Sequence, residues 1–207
     1  ATGRAIRNDL MRRLVDTFTA VNPRILGLFE NRQGVELLTR AMFGESVGNP
    51  KIEAAAKAWL ETAELAKQMF NEAGGKIRDL EGWAIPQTHN QVTIARAGRD
   101  QWVRDTLPLL DRSKYYTPEG GPMATADMIS LLESAWETLA TGGVNKLTPG
   151  GPKGAGMLAN RNAEARTIHF KDADSYLAYQ KLYGERHLWS IMTGHIEGGQ
   201  SVWPDLR

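Results

Sequence analysis

NPKIEAAAKAWLETAELAKQMFNEAGG, residues 49–75, places apolar side chains at Ile52, Ala55, Ala56, Trp59, Leu60, Ala63, Ala66, Met69 and Phe70. They recur every three to four residues, a spacing that gathers them on one side of an α-helix and scatters them over both faces of a strand. Both ends carry stop signals. Asn49 suits the N-cap, Pro50 the first helical position, where no N–H is needed, and Gly74-Gly75 can end the helix by adopting positive φ.

The same period extends in both directions. Upstream, Ile6, Leu10, Leu14, Val15 and Phe18 form one narrow apolar face over 4–19, closed by Asn22-Pro23. Residues 33–43 carry Val35, Leu37, Leu38, Ala41 and Met42 before the loop GESVGN. Downstream, 99–110 predicts a short helix with Trp102, Val103, Leu107 and Leu110, whose last turn is limited by Pro108. Residues 124–140 predict another, with Met128, Leu131, Leu132, Ala135, Trp136 and Leu139 on one side and Gly142-Gly143 at its end. RTIHF, 166–170, alternates like a short extended piece. Asp172 can cap a helix running to Tyr183 and stopped by Gly184, and 185–196 predicts a last one with Leu188, Trp189, Ile191 and Met192. The expected fold is all-α, about seven helices with long Gly/Pro-rich loops and little or no strand.

Three regions are expected. Residues 1–146 form a helical region with a polar connector at 71–98, 147–165 a flexible Gly/Pro-rich linker around LTPGGPKGAG, and 166–207 a helical pair with a tail. The wider stretch 70–111, FNEAGGKIRDLEGWAIPQTHNQVTIARAGRDQWVRDTLPLLD, is polar, marked by Trp83, and holds no recognisable catalytic constellation. No fixed-period repeat is visible, which argues against a solenoid.

Composition excludes several function classes. There is no cysteine, so disulfides, Cys-ligated zinc and thiolate catalysis are ruled out, while cytosol, periplasm and virion all remain open. With 25 Lys+Arg against 24 Asp+Glu, the chain has no general polyanion-binding surplus. The charges are nevertheless uneven. Arg4, Arg7, Arg12, Arg13, Arg24, Arg32 and Arg40 face only Asp9, Asp16, Glu30 and Glu36 in the first forty residues. A solvated helix face explains such a region most simply, and contact with nucleic acid or anionic lipid is the functional reading, carried by Arg4, Arg7, Arg12 and Arg13. No run of about 18 apolar residues exists, so no transmembrane helix is expected, and no signal-peptide core is evident. The chain starts abruptly inside a helical pattern, as a processed product or a piece of something longer would.

Candidate chemistry is sparse. GGPKGAG around Lys153 lacks the spacing of a phosphate loop and no strong strand precedes it. His89, His169, His187 and His195 are scattered, with no H-E-x-x-H pair, so no metal site is expected. Cleavage of a glycan needs a pair of converging carboxylates, or in a lytic transglycosylase a single acid such as Glu45, which follows an apolar helix. MFGESVGNP lacks the Ser-Gly and aromatic pattern expected around that acid, and no G-x-S-x-G elbow appears. No catalytic residue and no cofactor is therefore assigned. Of the six tryptophans, Trp59, Trp102, Trp136 and Trp189 sit on predicted helices and are expected to anchor packing, whereas Trp83 and Trp203, in Gly/Pro-flanked loops, are candidates for docking a partner.

Three stretches, 40–90 (RAMFGESVGNPKIEAAAKAWLETAELAKQMFNEAGGKIRDLEGWAIPQTHN), 136–146 (WETLATGGVNK) and 166–198 (RTIHFKDADSYLAYQKLYGERHLWSIMTGHIEG), together resemble the large internal virion, or DNA-ejection, proteins of tailed bacteriophages. The shared features are apolar and glycine patterns, in order along most of the chain. The resemblance implies a structural protein packaged in the capsid interior and delivered to the host envelope with the genome. Its implied partners are copies of itself, other virion proteins and DNA, with transient contact to the host envelope, and it implies no catalytic residue. At 199–207, GQSVWPDLR departs from the family pattern by switching to loop composition. The competing expectation is a peptidoglycan-cleaving module of the same virion, using Glu45.

Overall fold

The computed structural model describes residues 5, 8, 9, 12, 13, 16, 32–72, 85, 87–142 and 168–184. Among them the chain is mostly helical, with six continuous α-helices and no strand; the β-structure is limited to two isolated bridges. The chain divides into two compact units, 1–86 with 186–207 and 87–185, so the second is an insertion in the first. That partition differs from the boundaries expected from composition. The predicted linker 147–165, the final helix 185–196 and the tail lie outside the described residues.

In the first unit, α1 (Arg32–Met42) packs against α2 (Pro50–Glu72). The buried side of α1 is Gly34, Leu38, Thr39 and Met42, a repeat of four that keeps one stripe on its partner. On α2, Trp59 is fully buried among Ile52, Ala55, Ala56 and Ala63, the small residues leaving room for a large ring. Two threonines within these buried surfaces cost little, because Thr39 and Thr62 each donate to the carbonyl four residues back, Val35 and Ala58, both at 2.8 Å. Asn49 caps α2 as its sequence predicts, accepting from the N–H groups of Lys51 at 3.1 Å and Ile52 at 3.3 Å. Glu53 reaches back to the preceding loop, accepting from Val47 N–H at 2.9 Å and Ser46 Oγ at 3.1 Å. Those bonds, the backbone one first, hold its carboxyl below the usual range.

The second unit is built from four helices, α3 (Gln91–Ala97), α4 (Arg99–Thr106), α5 (Thr125–Ala140) and α6 (Ala173–Tyr183). Helix α3 lies inside the stretch expected to be a connector. Asn90 starts it by accepting from Thr93 N–H at 3.0 Å, and Trp136 on α5 donates its indole N–H to Ile94 O at 3.0 Å. Only Gly98 separates α3 from α4. After α4 the chain tightens into a 3-10 turn at Leu107–Leu109, where Pro108 ends the α-helical bonding as expected. Leu110 then bridges Phe170 in antiparallel fashion, flanked by Asp111 N–H to His169 O at 2.8 Å and Lys171 N–H to Leu109 O at 3.0 Å. The described part of the extended piece predicted at 166–170, residues 168–170, makes this contact. Asp172 caps α6 through Ser175 N–H at 2.8 Å. Gly184 ends that helix by close approach and not by positive φ, since a Cβ there would meet the Gln180 backbone.

The core of this unit gathers Ile94, Trp102, Val103, Leu110, Met128, Leu131, Leu132, Ile168, Tyr179 and Tyr183. Trp102 is fully buried, Trp136 only partly, and Trp189 lies outside the described residues.

Gly98 has φ 83 and ψ 159, a region open essentially to glycine alone, with open space where a Cβ would point. Gly98→Ala is expected to cost about 1–3 kcal/mol through the backbone alone. Gly121→Ala, where a Cβ would rest 3.6 Å from Thr117 Oγ1 at ordinary φ, is expected to be nearly neutral; denaturant titration of the two variants checks the contrast.

Candidate functional site

Among the described residues, an aromatic and polar node in the second unit is centred on Tyr179. Helix α6 aims this side chain inward, where it is fully buried. Trp102 Nε1 donates to the Tyr179 hydroxyl at 3.3 Å, and His89 Nδ1 lies 2.8 Å from the same oxygen. The hydroxyl has one proton and two lone pairs, so it accepts from the indole and still has both a proton and a lone pair for His89 Nδ1, whose tautomer sets which of the two donates. The rings follow the hydrogen bonds. His89 and Trp102 meet Tyr179 edge-on, at centroid distances of 5.5 and 6.4 Å, and Phe170 and Tyr183 pack at 5.2 and 5.5 Å.

Two neighbouring phenols extend the node. Tyr183 donates to Asp105 Oδ2 at 2.5 Å, and the Tyr115 hydroxyl accepts from His169 N–H at 3.0 Å. Burial is the main cause raising the Tyr115, Tyr179 and Tyr183 phenols above their ordinary value, with repulsion from Asp111 adding at Tyr115 and the bond and charge of Asp105 adding at Tyr183. A tyrosine that serves as base or nucleophile needs the opposite shift. These phenols are held neutral, and the node's chemistry is to join α6 to α4 and to residues 87–90.

Surface grooves also lie among the described residues. One of about 570 Å³ lies at the α3–α4 junction, lined by Gly98, Arg99, Gln101, Arg104, Trp136 and Glu137 among others. Its cations are already engaged: Arg99 pairs with Asp100 at 3.3 Å and Glu133 at 3.9 Å, and Arg104 donates to Gln101 at 3.0 Å. Another, of about 360 Å³, borders Glu45, Ser46, Glu53 and Lys57. A general acid for glycan cleavage needs a carboxyl enclosed by apolar surroundings. The Glu45 carboxylate is 42% exposed and sits 3.4 Å from Arg40, the surroundings of an ordinary surface acid.

Of the residues singled out as polyanion contacts, Arg12 and Arg13 are exposed and both engage Asp9 at 2.7 Å, while Arg12 also lies 3.6 Å from Asp16. These two arginines, Arg12 first, hold the Asp9 carboxyl below its usual value. Arg4, Arg7, Trp83 and Trp203 lie outside the described residues, as do Lys153, His187 and His195. Among the described residues, no group of three His, Asp or Glu side chains is arranged to hold a metal, and no helix is long and apolar enough to cross a membrane.

Sequence reasoning missed the node because its partners are distant: His89 and Tyr179 are 90 residues apart and Trp102 and Tyr179 are 77 apart. It also missed the exposed apolar side chains of the second unit, Val92, Tyr116 and Leu182. The one available signal was that all five tyrosines fall within 115–183. Comparison with protein-family models, curated proteins and solved structures yields no match.

Above about pH 10 the phenols of the unfolded chain ionise while Tyr115, Tyr179 and Tyr183 remain protonated in the folded one. The folded state then holds more protons, so stability present below about pH 10 is lost as pH rises further. Phenolate absorbance from three of the five tyrosines is expected to appear together with loss of the helical circular dichroism. Complete phenolate formation with the helical signal intact is the contrary result.

Proposed function

We propose that this chain is a structural internal virion protein of a tailed bacteriophage, packaged in the capsid and taking part in genome ejection through helical self-assembly. The observation that carries the reading is the ordered resemblance of residues 40–90, 136–146 and 166–198 to that family. In support, the interior of each unit is given over to packing: Trp59 and the alanines of α2 in one, the Tyr179 node in the other. The buried hydroxyls there serve as structural ties.

The role is physical. Helical faces pack against copies of the chain and against other virion proteins, with Trp83 and Trp203 as docking side chains. The arginines at Arg4, Arg7, Arg12 and Arg13 meet DNA or the anionic surface of the host envelope. The described pair fits such a contact because exposed ion pairs such as Arg12–Asp9 and Arg13–Asp9 contribute little, so a phosphate can take the place of the carboxylate. No cofactor enters this role.

Purified particles are expected to contain the chain by mass spectrometry, and the isolated protein to show an oligomeric mass in sedimentation. Absence from the particle removes the proposal. In a DNA-binding titration, replacing both Arg12 and Arg13 by Gln is expected to reduce the slope of log affinity against log salt by about two. An affinity with no salt dependence removes the arginine contact. Clearing of purified peptidoglycan by the wild-type chain, lost in Glu45→Gln, replaces the structural reading with the enzymatic one.

A further inference from the structure

The second unit is an insertion, and its two ends meet. Its first residues, 87–90, run beside the residues that close it at 168–184, and each of the four makes a hydrogen bond across this seam. Gln87 Nε2 donates to Ile168 O at 2.8 Å, Thr88 Oγ1 donates to Gln180 Oε1 at 2.8 Å, His89 Nδ1 pairs with the Tyr179 hydroxyl at 2.8 Å, and Asn90 N–H donates to Tyr183 O at 2.7 Å. Asn90 also caps α3, so the first helix of the unit starts from this seam. Helix α6 ends at it through Gly184, whose N–H bonds to Gln180 O at 2.8 Å.

A chain segment folds by itself when it buries its own core and when its ends can meet without strain. Both conditions hold here. The core residues Ile94, Trp102, Leu132, Ile168 and Tyr179 all belong to the inserted unit.

We propose that the inserted unit folds and opens as a cooperative element of its own, and that residues 87–90 are the latch joining its entrance to its exit. The geometry that states this is the row of four bonds between 87–90 and Ile168, Tyr179, Gln180 and Tyr183. Opening the latch separates the two ends, releases the backbone of Asn90 at the start of α3 from Tyr183 O, and removes a partner of buried Tyr179 together. The proposal stands on this geometry and does not depend on the virion reading.

The test is native-state hydrogen exchange with mass spectrometry on the full chain, comparing wild type, Thr88→Val, Gln87→Ala and Gly98→Ala. Thr88→Val removes the donor to Gln180, whose Nε2 is already without a partner, so opening of the unit is expected to become about five- to tenfold more frequent. Amides around Trp102, Leu132 and Tyr179 should exchange faster by that factor, while those of Pro50–Glu72 keep their wild-type rates. Gly98→Ala, which strains the unit away from the seam, should accelerate the same amides and spare the same helix. Gln87→Ala gives the equivalent reading of the latch if Thr88→Val does not accumulate folded. Equal acceleration in Pro50–Glu72 overturns the separate unit. Unchanged exchange in the latch variants, with acceleration in Gly98→Ala, overturns the latch.

Discussion

Burial of the Tyr179 hydroxyl is the constraint around which the inserted unit is arranged. A phenol taken fully out of water must have its oxygen satisfied inside the protein, and leaving it unpaired costs about 1–3 kcal/mol. Two elements supply the partners: Trp102 from α4 and His89 from the entering segment. Satisfying one oxygen therefore fixes the position of α4, of α6 and of the chain just before α3. The surrounding rings of Phe170 and Tyr183 fill the remaining space at tilted contact distances, so packing and hydrogen bonding ask for the same geometry.

The first unit is organised by a different economy of space. Alanines at 55, 56 and 63 flank the fully buried Trp59, so α2 presents a shallow surface on which one large side chain is accommodated. Polar side chains at its rim work locally: Asn49 closes the helix end, and Glu53 ties the loop before it. In the second unit polar ties also run far along the chain. There, Gln87, Thr88, His89 and Tyr115 each bond to a residue more than fifty positions away.

This contrast bears on function. Catalytic sites concentrate groups whose protonation is poised near neutrality, whereas the node concentrates phenols held neutral by burial. The open groove beside Glu45 leaves its carboxylate in solvent next to Arg40. Both features are compatible with the proposed virion role, which would work through shape and surface.

The sequence by itself determined the helical class and the places where α2 and α6 begin. Asn49, Pro50 and Asp172 act through neighbours one to three residues away, so their capping is written locally, and the periods over 50–72, 125–140 and 173–183 were readable for the same reason. Helix α3 was not readable. Val92, Thr93 and Ile94 are β-branched, the segment spans only two turns, and it is held by Ile94 burial and by Trp136 from 42 residues away. Tertiary structure alone decided that His89 has a buried phenol as partner and that the inserted unit begins and ends at one seam. These depend on which distant residues meet, and a local pattern of side chains carries no record of that.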